Sequence, residues 1–461
     1  MFDKKLIIFL IFIILIILLR LPIFFLPHFN NDELIHLSLA MKMEKYGQNV
    51  FDGQRYNLFY IDRGISPDFT LAGVWEGKNK TGLLLQDFLG ERGVLSHHPP
   101  LLPFFLKVSH KIFSNNQIYL VNISNRFYSM LTNLASQFYA CVVPFLSSIF
   151  FILAVYILGS LLFSKRIGLY SAFFLSLTPT ELMTANKIWA DDMTAFFVTL
   201  AVIFYLYAFK NNKPFFSLLA GFSCGLSILS KMSGIYIVFV ILLFHISEHK
   251  NKKVTVDNVK DFLFDRNILY FLAGIFITSA WWFNLYYSNF DIRWTKSYFT
   301  INEQWDAAKN WNMFFNTVSN RPWFSYFILV PFQFPLYSLS YILIPLFILR
   351  NKFKAVSSFI KSEEVIYLKF LIIWMAVVFV FLTLKPGKEL RYMLIAYPAI
   401  SILSVYCLNL FYERVEGVGM GFDSNLKRTI FICVILLSLF FSLKIALPRI
   451  LFRADIIPIP L

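Results

Sequence analysis

The chain has 461 residues, of which 58% are hydrophobic, 19% are aromatic and only 15% are charged. A soluble protein of this length could not hide so much apolar surface, so the composition predicts an all-α integral membrane protein with the bilayer as its solvent. The net charge of +15 comes from Lys and Arg in short clusters between apolar runs, which is typical of cytoplasmic loops and indicates no nucleic-acid partner.

The first predicted element is a membrane span. Lys4 and Lys5 precede the apolar residues 6–19, and Arg20 follows in place of a small-residue cleavage site. This order predicts an uncleaved span with a cytoplasmic N-terminus rather than a signal peptide.

Two adjacent carboxylates, Asp32 and Glu33, follow this span and would lie at its outer mouth. There they could meet water, a lipid headgroup and an acceptor molecule, which favours a catalytic role. Alternatively, Asn30 or Asn31 caps a short helix and the two acids occupy its first turn, where the helix dipole favours negative charge.

Residues 27–137 form the longest predicted loop, and it lies on the external side in this topology. It contains an amphipathic helix, a Gly-rich segment at residues 47–93, and His98-Pro99-Pro100 before a short apolar stretch that lies in the interface. The apolar face of the amphipathic helix contains Leu34, Leu37 and Met41.

Apolar runs long enough to span recur along the rest of the chain and, with the first, predict about eleven spans. Every inner loop is basic in this arrangement, as the positive-inside rule requires. We therefore predict a multi-pass protein of the plasma (inner) membrane. The later runs are residues 138–163, 167–185, 193–209, 214–230, 233–247, 267–287, 324–349, 367–384, 392–411 and 429–447.

The predicted spans and loops form one transmembrane core, residues 1–411, which includes the first external loop and a Trp-rich lid at residues 288–323. Residues 412–461 supply a cytoplasmic loop, the last span and a short external tail. The cysteines lie in apolar runs without a CxxC pair, so we expect buried small hydrophobes rather than metal ligands or disulfides. They are Cys141, Cys224, Cys407 and Cys433.

Acidic and basic residues collect on the predicted external side. Cations at the outer headgroup level are suited to the phosphate or pyrophosphate of a lipid carrier, or alternatively they reach out to local phospholipid. A nearby carboxylate would then act as general base for an acceptor hydroxyl or amine that attacks a sugar C1. The residues are Asp32, Glu33, Asp191, Asp192, Lys385, Lys388 and Arg391.

The order of several short motifs over residues 18–410 resembles the GT-C membrane glycosyltransferases of the protein O-mannosyltransferase and aminoarabinose transferase superfamily. The motifs are Arg20-Leu-Pro, Asp32-Glu33, His98-Pro99-Pro100-Leu101, Asn125-Arg126, Trp189-Ala-Asp-Asp-Met193, Gly225-Leu-Ser-Ile-Leu-Ser-Lys231, Lys388-Glu-Leu-Arg-Tyr392 and Tyr397-Pro398.

This resemblance implies a GT-C fold and a transferase that uses a sugar linked to polyprenyl phosphate, undecaprenyl or dolichyl, on the external face. It implies that Asp32 is the general base with Glu33 as its partner. Asp191 or Asp192 matches a second acidic position that assists acceptor or metal binding. Lys388 and Arg391 match basic positions near the carrier phosphate.

Other candidates are weaker. His98 either binds a divalent metal ion or belongs to a rigid turn at the interface, so a metal requirement is left open. Further basic residues either contact the lipid phosphate or reach from helix ends to the headgroups. These residues are Arg20, Arg126, Lys187 and Lys231.

Because no large soluble domain follows the last predicted span, a protein acceptor is not favoured over a glycan or a lipid. Two other functions stay open. A secondary transporter would place charges deep in mid-span and show related half-chains. An envelope polysaccharide polymerase or ligase would rely on the large loop before the eighth span instead of Asp32 and Glu33.

Overall fold

The computed structural model describes residues 4–25, 33, 36, 40, 43, 99–113, 134–249, 265–288, 322, 324–349, 364–384, 388–414 and 424–452. Within these ranges the chain is helical and has no β-strand, which confirms the predicted all-α class. The predicted lid at 288–323 lies outside them except for residues 288 and 322, as does most of the first loop.

The described part of the chain consists of α-helices and a few short 3-10 helices. The α-helices are α1 (Lys4–Arg20), α2 (Leu101–Phe113), α3 (Leu134–Leu162), α4 (Lys165–Ser176), α5 (Pro179–Ala185), α6 (Asp191–Asn211), α7 (Pro214–Ser230), α8 (Tyr236–His249), α9 (Arg266–Ser288), α10 (Ser325–Gln333), α11 (Ser338–Leu349), α12 (Val365–Leu384), α13 (Tyr397–Arg414) and α14 (Ser424–Phe452). Short 3-10 helices cover Leu21–Phe24, Met232–Ile235, Pro335–Tyr337 and Leu390–Ile395.

Several of these helices are apolar enough to cross a bilayer. By length and composition, three of the described helices qualify: Phe138–Leu162 within α3, Asp191–Asn211 and Val365–Leu384. The shorter apolar helices include Leu10–Phe24, Pro214–Ser230, Met232–Glu248, Tyr397–Leu410 and Ile432–Ile445. The protein is therefore a multi-pass membrane protein, while the number of its spans stays a prediction.

Two predicted continuous spans are broken in the structure, so the sequence interpretation was wrong there. The span at 167–185 is two helices, because α4 ends at Ser176 and Pro179 begins α5. The span at 324–349 divides in the same way ahead of Pro335. A proline disfavours helical dihedral angles in the residue before it and lacks the N–H for the preceding turn, so each helix ends there.

Close backbone packing joins α7 to α9. A Cβ atom built on Gly221 would lie 1.9 Å from the carbonyl oxygen of Phe271, and one built on Gly225 would lie 1.6 Å from Oγ1 of Thr278. Small residues of this kind let membrane helices approach backbone to backbone. The packing also brings Trp282, near the end of α9, into the hydrophobic cluster that contains Ile188.

One predicted burial is wrong. Cys141, Cys224 and Cys407 are buried, but Cys433 is exposed on α14. Its neighbours Ile432 and Leu436 are exposed too. An apolar run does not imply burial within the protein when lipid supplies the apolar solvent.

The segment after the first helix contributes one inward-facing stripe. Glu33, His36, Ala40 and Met43 are helical and buried, and their spacing puts them on one helix face. The predicted apolar face of Leu34, Leu37 and Met41 lies outside the described residues.

Candidate active site

Three connections meet at one end of the bundle: the turn at residues 186–190 between α5 and α6, Lys231 after α7, and the 3-10 helix Leu390–Ile395. Pro214 starts α7 and Lys231 follows it in extended conformation, so the chain returns to the end at which α6 began. Residues far apart in sequence are thereby brought into contact.

The indole of Trp189 is a platform for two cations. Nζ of Lys187 lies 4.3 Å from the ring centroid, and Cζ of Arg391 lies 4.2 Å from it. Lys187 and Trp189 are buried, and Nε1 of Trp189 has no hydrogen-bond partner in the described part of the chain. Each stacking is worth about 0.5–2 kcal/mol, so the ring holds positive charge in a poorly solvated place.

Lys231 joins the second and third connections. Its ammonium donates a hydrogen bond of 2.6 Å to Oδ1 of Asp191 and lies 4.8 Å from the ring centroid of Tyr392. The guanidinium of Arg391 lies 5.4 Å from the same ring. A continuous array therefore runs from Lys187 through the two rings to Lys231.

Glu389 balances part of this charge. Its carboxylate is in ion-pair contact with Arg391, and its Oε1 accepts a hydrogen bond of 3.3 Å from the Tyr392 hydroxyl. The hydroxyl of Tyr326 donates to the Glu389 backbone carbonyl over 3.2 Å. Since the Glu389 side chain is 34% exposed, an incoming anion can compete with it for Arg391.

Lys388 precedes this pair and is buried. Burial lowers the pKa of its ammonium to about 8, because the charged form loses its hydration. An anion placed beside Lys388 would favour the charged form again, so the residue is suited to bind a ligand of negative charge.

The two aspartates at the start of α6 have different surroundings. Asp191 is paired with Lys231. Asp192 is fully buried: its Oδ1 accepts a 3.2 Å hydrogen bond from Thr184, while Oδ2 has no hydrogen-bond partner among the described residues. Sequence analysis left open which of the two is functional, and that stays open, although their surroundings differ.

Glu33 reaches the same end of the bundle. It is fully buried, and its Oε1 accepts a hydrogen bond of 3.0 Å from the backbone N–H of Ile188. Ile188 lies between Lys187 and Trp189, so Glu33 is adjacent to the cations. Asp32 itself lies outside the described residues.

Arg20 does not face the lipid headgroups, so the suggested snorkelling or phosphate contact is wrong for this residue. It is fully buried, and its Nη2 donates to Oε2 of Glu181 over 2.6 Å. Sequence analysis missed Glu181, which lies within the predicted span at 167–185. A lone carboxylate within a predicted span was the signal, because such a group needs a partner.

The chain shares its fold with two solved membrane enzymes. ArnT from Cupriavidus metallidurans, solved with undecaprenyl phosphate, matches with a TM-score of 0.52 and 15% identity over 96% of this chain and 72% of ArnT. The oligosaccharyltransferase AglB from Archaeoglobus fulgidus, solved with an inhibitory peptide and dolichol-phosphate, matches with a TM-score of 0.58 and 13% identity over 96% of this chain.

The sequence adds a family match. Residues 74–296 match the model of the dolichyl-phosphate-mannose-protein mannosyltransferases. The chain has the GT-C fold, which ArnT and AglB share. This GT-C chain spans 56% of the length of AglB, and no curated protein sequence matches it significantly.

The candidate site contains some predicted residues and adds others. The structure brings Glu33, Asp191 and Arg391 to the same end of the bundle and buries Lys388. His98, Arg126 and Lys385 lie outside the described residues. Sequence analysis missed Trp189 and Tyr392 as cation platforms and Glu389 as a counter-charge; aromatic residues beside basic ones were the available signal.

A metal centre is not apparent in the described part of this GT-C chain. There, no group of three or more His, Cys, Asp or Glu side chains is arranged to hold a metal ion. His98, the predicted metal ligand, is outside that part.

Lys231→Met is expected to lower the free energy of unfolding by about 1–3 kcal/mol, because it leaves the buried Asp191 carboxylate without its ammonium. Denaturant titration in detergent measures the loss. The double variant Asp191→Asn with Lys231→Met should recover most of it, since no uncompensated charge remains.

Lys369→Met is the matched control for this prediction. It breaks the more exposed pair with Glu248, which has an N–O distance of 2.7 Å. Solvent screens such a pair, so the expected loss is below about 1 kcal/mol. Equal losses for Lys231→Met and Lys369→Met would contradict the special position of Asp191.

Proposed function

We propose that this GT-C protein transfers a sugar from a polyprenyl-phosphate carrier to an acceptor hydroxyl or amine on the external face of the membrane. The observation that carries the proposal is the array of Lys187, Trp189, Arg391, Tyr392 and Lys231 beside buried carboxylates. The bound undecaprenyl phosphate of ArnT and dolichol-phosphate of AglB make a polyprenyl phosphate the ligand to test first.

The array suits the leaving group of this reaction. As the bond between the sugar C1 and the phosphate oxygen breaks, its electron pair and the developing negative charge move onto the phosphate. Arg391 and the neighbouring lysines stabilise that charge in a poorly solvated site, where fixed cations act most strongly. A phosphate then leaves without protonation by an acid.

The attacking side needs a base. The acceptor oxygen or nitrogen forms its bond to C1 from the face opposite the phosphate, and its proton passes to a carboxylate, for which Asp32 is the candidate. The result is inversion at C1. The contact of Glu33 with the Ile188 amide supports this assignment, because Asp32 is its neighbour in the chain.

The test is sugar transfer by purified protein in nanodiscs, with a panel of polyprenyl-phosphate sugars and envelope glycans, lipids and peptides as acceptors. Mass spectrometry should detect the glycosylated acceptor and free polyprenyl phosphate in equal amounts. Binding is measured in parallel with polyprenyl phosphate alone. Affinity no greater than that for phosphatidylglycerol would overturn the assignment of a carrier-phosphate site.

Donor affinity is expected to fall as the pH rises through about 8. The pKa of Lys388 is lowered to about 8, so this side chain carries its charge below that pH and loses it above. The phosphodiester of the donor does not titrate in this range, so the dissociation constant should be flat below pH 8 and rise up to about tenfold per pH unit above it.

Lys388→Arg should remove this pH dependence, because a guanidinium stays charged. Titration of a fluorescent polyprenyl-phosphate sugar at about pH 6.5 to about pH 9.5 measures both profiles. A flat wild-type profile across the range would show that Lys388 does not contact the phosphate.

A further inference from the structure

We propose that the buried Arg20–Glu181 ion pair is a positioning device, which fixes the segment that carries Asp32 and Glu33 against the turn that carries Lys187 and Trp189. The inference rests on the proposed function, since it sets the distance between the base and the carrier phosphate. Neither Arg20 nor Glu181 is placed in contact with substrate.

The pair braces three helices. Arg20, at the end of α1, donates through Nη2 to Glu181 in α5 over 2.6 Å and through Nε to the hydroxyl of Ser148 in α3 over 2.5 Å. The Ser148 hydroxyl in turn donates to Oε1 of Glu181 over 2.6 Å. Nη1 of Arg20 donates to the carbonyl of Ile16, one turn back in α1. Every nitrogen of the guanidinium therefore has an acceptor.

Further contacts tie the same two segments together. The amide of Asn186 donates to the carbonyl of Leu19 over 3.3 Å and to that of Leu182 over 2.8 Å. Farther along, Glu33 accepts the N–H of Ile188. Arg20, which precedes Asp32 in the sequence, and Glu33, which follows it, are thus both hydrogen-bonded to residues within 181–188.

The energetics favour a positioning role over a stabilising one. Arg20, Ser148 and Glu181 are all fully buried. A buried ion pair is seldom more stable than well-packed apolar side chains of the same volume, because both charges lose their hydration. What the pair supplies is geometry: its hydrogen bonds allow one arrangement of α1 on α5, whereas apolar contacts allow neighbouring ones.

That geometry bears directly on transfer. The turn that follows Glu181 supplies the Lys187 and Trp189 part of the cation array, and the segment that follows Arg20 supplies the carboxylates. A displacement of about 1 Å between reacting groups lowers a rate by as much as about 100-fold. Binding of the donor phosphate depends on the array alone and is not expected to change.

The test uses Glu181→Gln and the double variant Arg20→Met with Glu181→Leu. Both should lower kcat for sugar transfer by about 10- to 100-fold and leave the donor KM within about twofold of wild type. The double variant should lower the melting temperature less than Glu181→Gln does, since it removes both charges of the pair and does not leave Arg20 buried without Glu181. A second readout is hydrogen exchange of the Ile188 amide, which should become faster in both variants as its contact with Glu33 loosens.

Tyr406→Phe is the matched control. It removes a different side-chain hydrogen bond, in which the Tyr406 hydroxyl of α13 donates to Glu364 over 2.6 Å. Glu364 directly precedes α12, and this contact lies away from the site. Tyr406→Phe should leave kcat and Ile188 exchange unchanged.

Wild-type kcat in the double variant would overturn the proposal, because apolar packing would then serve equally well. Unchanged exchange of Ile188 in both variants would overturn it too. Hydrogen exchange needs no turnover, so it tests the positioning of Glu33 on the Ile188 amide even in a protein that transfers no sugar. A wild type that transferred no sugar would count against the proposed function alone.

Discussion

Asp32→Asn is expected to lower kcat for sugar transfer by about 10²–10⁴-fold, with the affinity for polyprenyl phosphate unchanged. The amide keeps the shape of the side chain but cannot accept the proton of the acceptor. Single-turnover transfer, followed by mass spectrometry of the acceptor, measures the loss. Binding of fluorescent polyprenyl phosphate shows whether the variant retains its site.

Glu33→Gln is the matched comparison for Asp32→Asn. One oxygen of Glu33 already accepts the Ile188 amide, and the carbonyl oxygen of Gln can still do so. We therefore expect a loss below about tenfold. A larger loss for Glu33→Gln than for Asp32→Asn would exchange the two roles and make Glu33 the base. Wild-type turnover in both variants would show that the acidic pair is not catalytic and only occupies the first turn of a helix.

Arg391→Ala is expected to raise the donor KM by about 30- to 150-fold, which corresponds to about 2–3 kcal/mol for a lost charge-assisted contact with phosphate. The guanidinium lies 4.2 Å from the centroid of the Trp189 ring and is in ion-pair contact with Glu389, whose side chain is 34% exposed. It is therefore positioned where an anion can compete with Glu389.

Arg391→Lys should recover less than half of this binding energy, because an ammonium neither stacks flat on Trp189 nor bonds phosphate through two N–H groups. Arg166→Ala is the control, because Arg166 also stacks on an aromatic ring, that of Tyr170. Arg166 comes just after the C-terminal end of α3, whereas Tyr139, near the N-terminal end of α3, belongs to the same hydrophobic cluster as Ile188. Arg166→Ala should leave the donor KM unchanged. Equal effects of Arg391→Ala and Arg166→Ala would indicate a general effect of surface charge on lipid binding.

Much of the fold class was predictable because hydropathy is a local property. An apolar run such as Val365–Leu384 must lie in lipid or in a protein core, whatever sequence flanks it. The ends of the helices were less predictable. Pro179 and Pro335 did break predicted spans, as proline physics requires, but the apolar residues on both sides hid these ends.

The candidate site was predictable only as a set of polar turns. Asp191, Arg391 and Lys231 stand out in the sequence because they flank apolar runs. Their partners do not: Trp189 and Tyr392 look like ordinary interfacial aromatics until the fold stacks cations on their rings.

By itself, the sequence determined that this chain is a helical membrane protein, and it predicted a candidate site in the polar connections between apolar helices. Only the tertiary structure decided which charges meet. Arg20 and Glu181 are 161 positions apart in the chain, so a prediction from local sequence patterns could not pair them. The hydropathy of a segment depends only on its own residues and determines whether lipid or water surrounds it. An ion pair between distant residues forms only after the helices have packed.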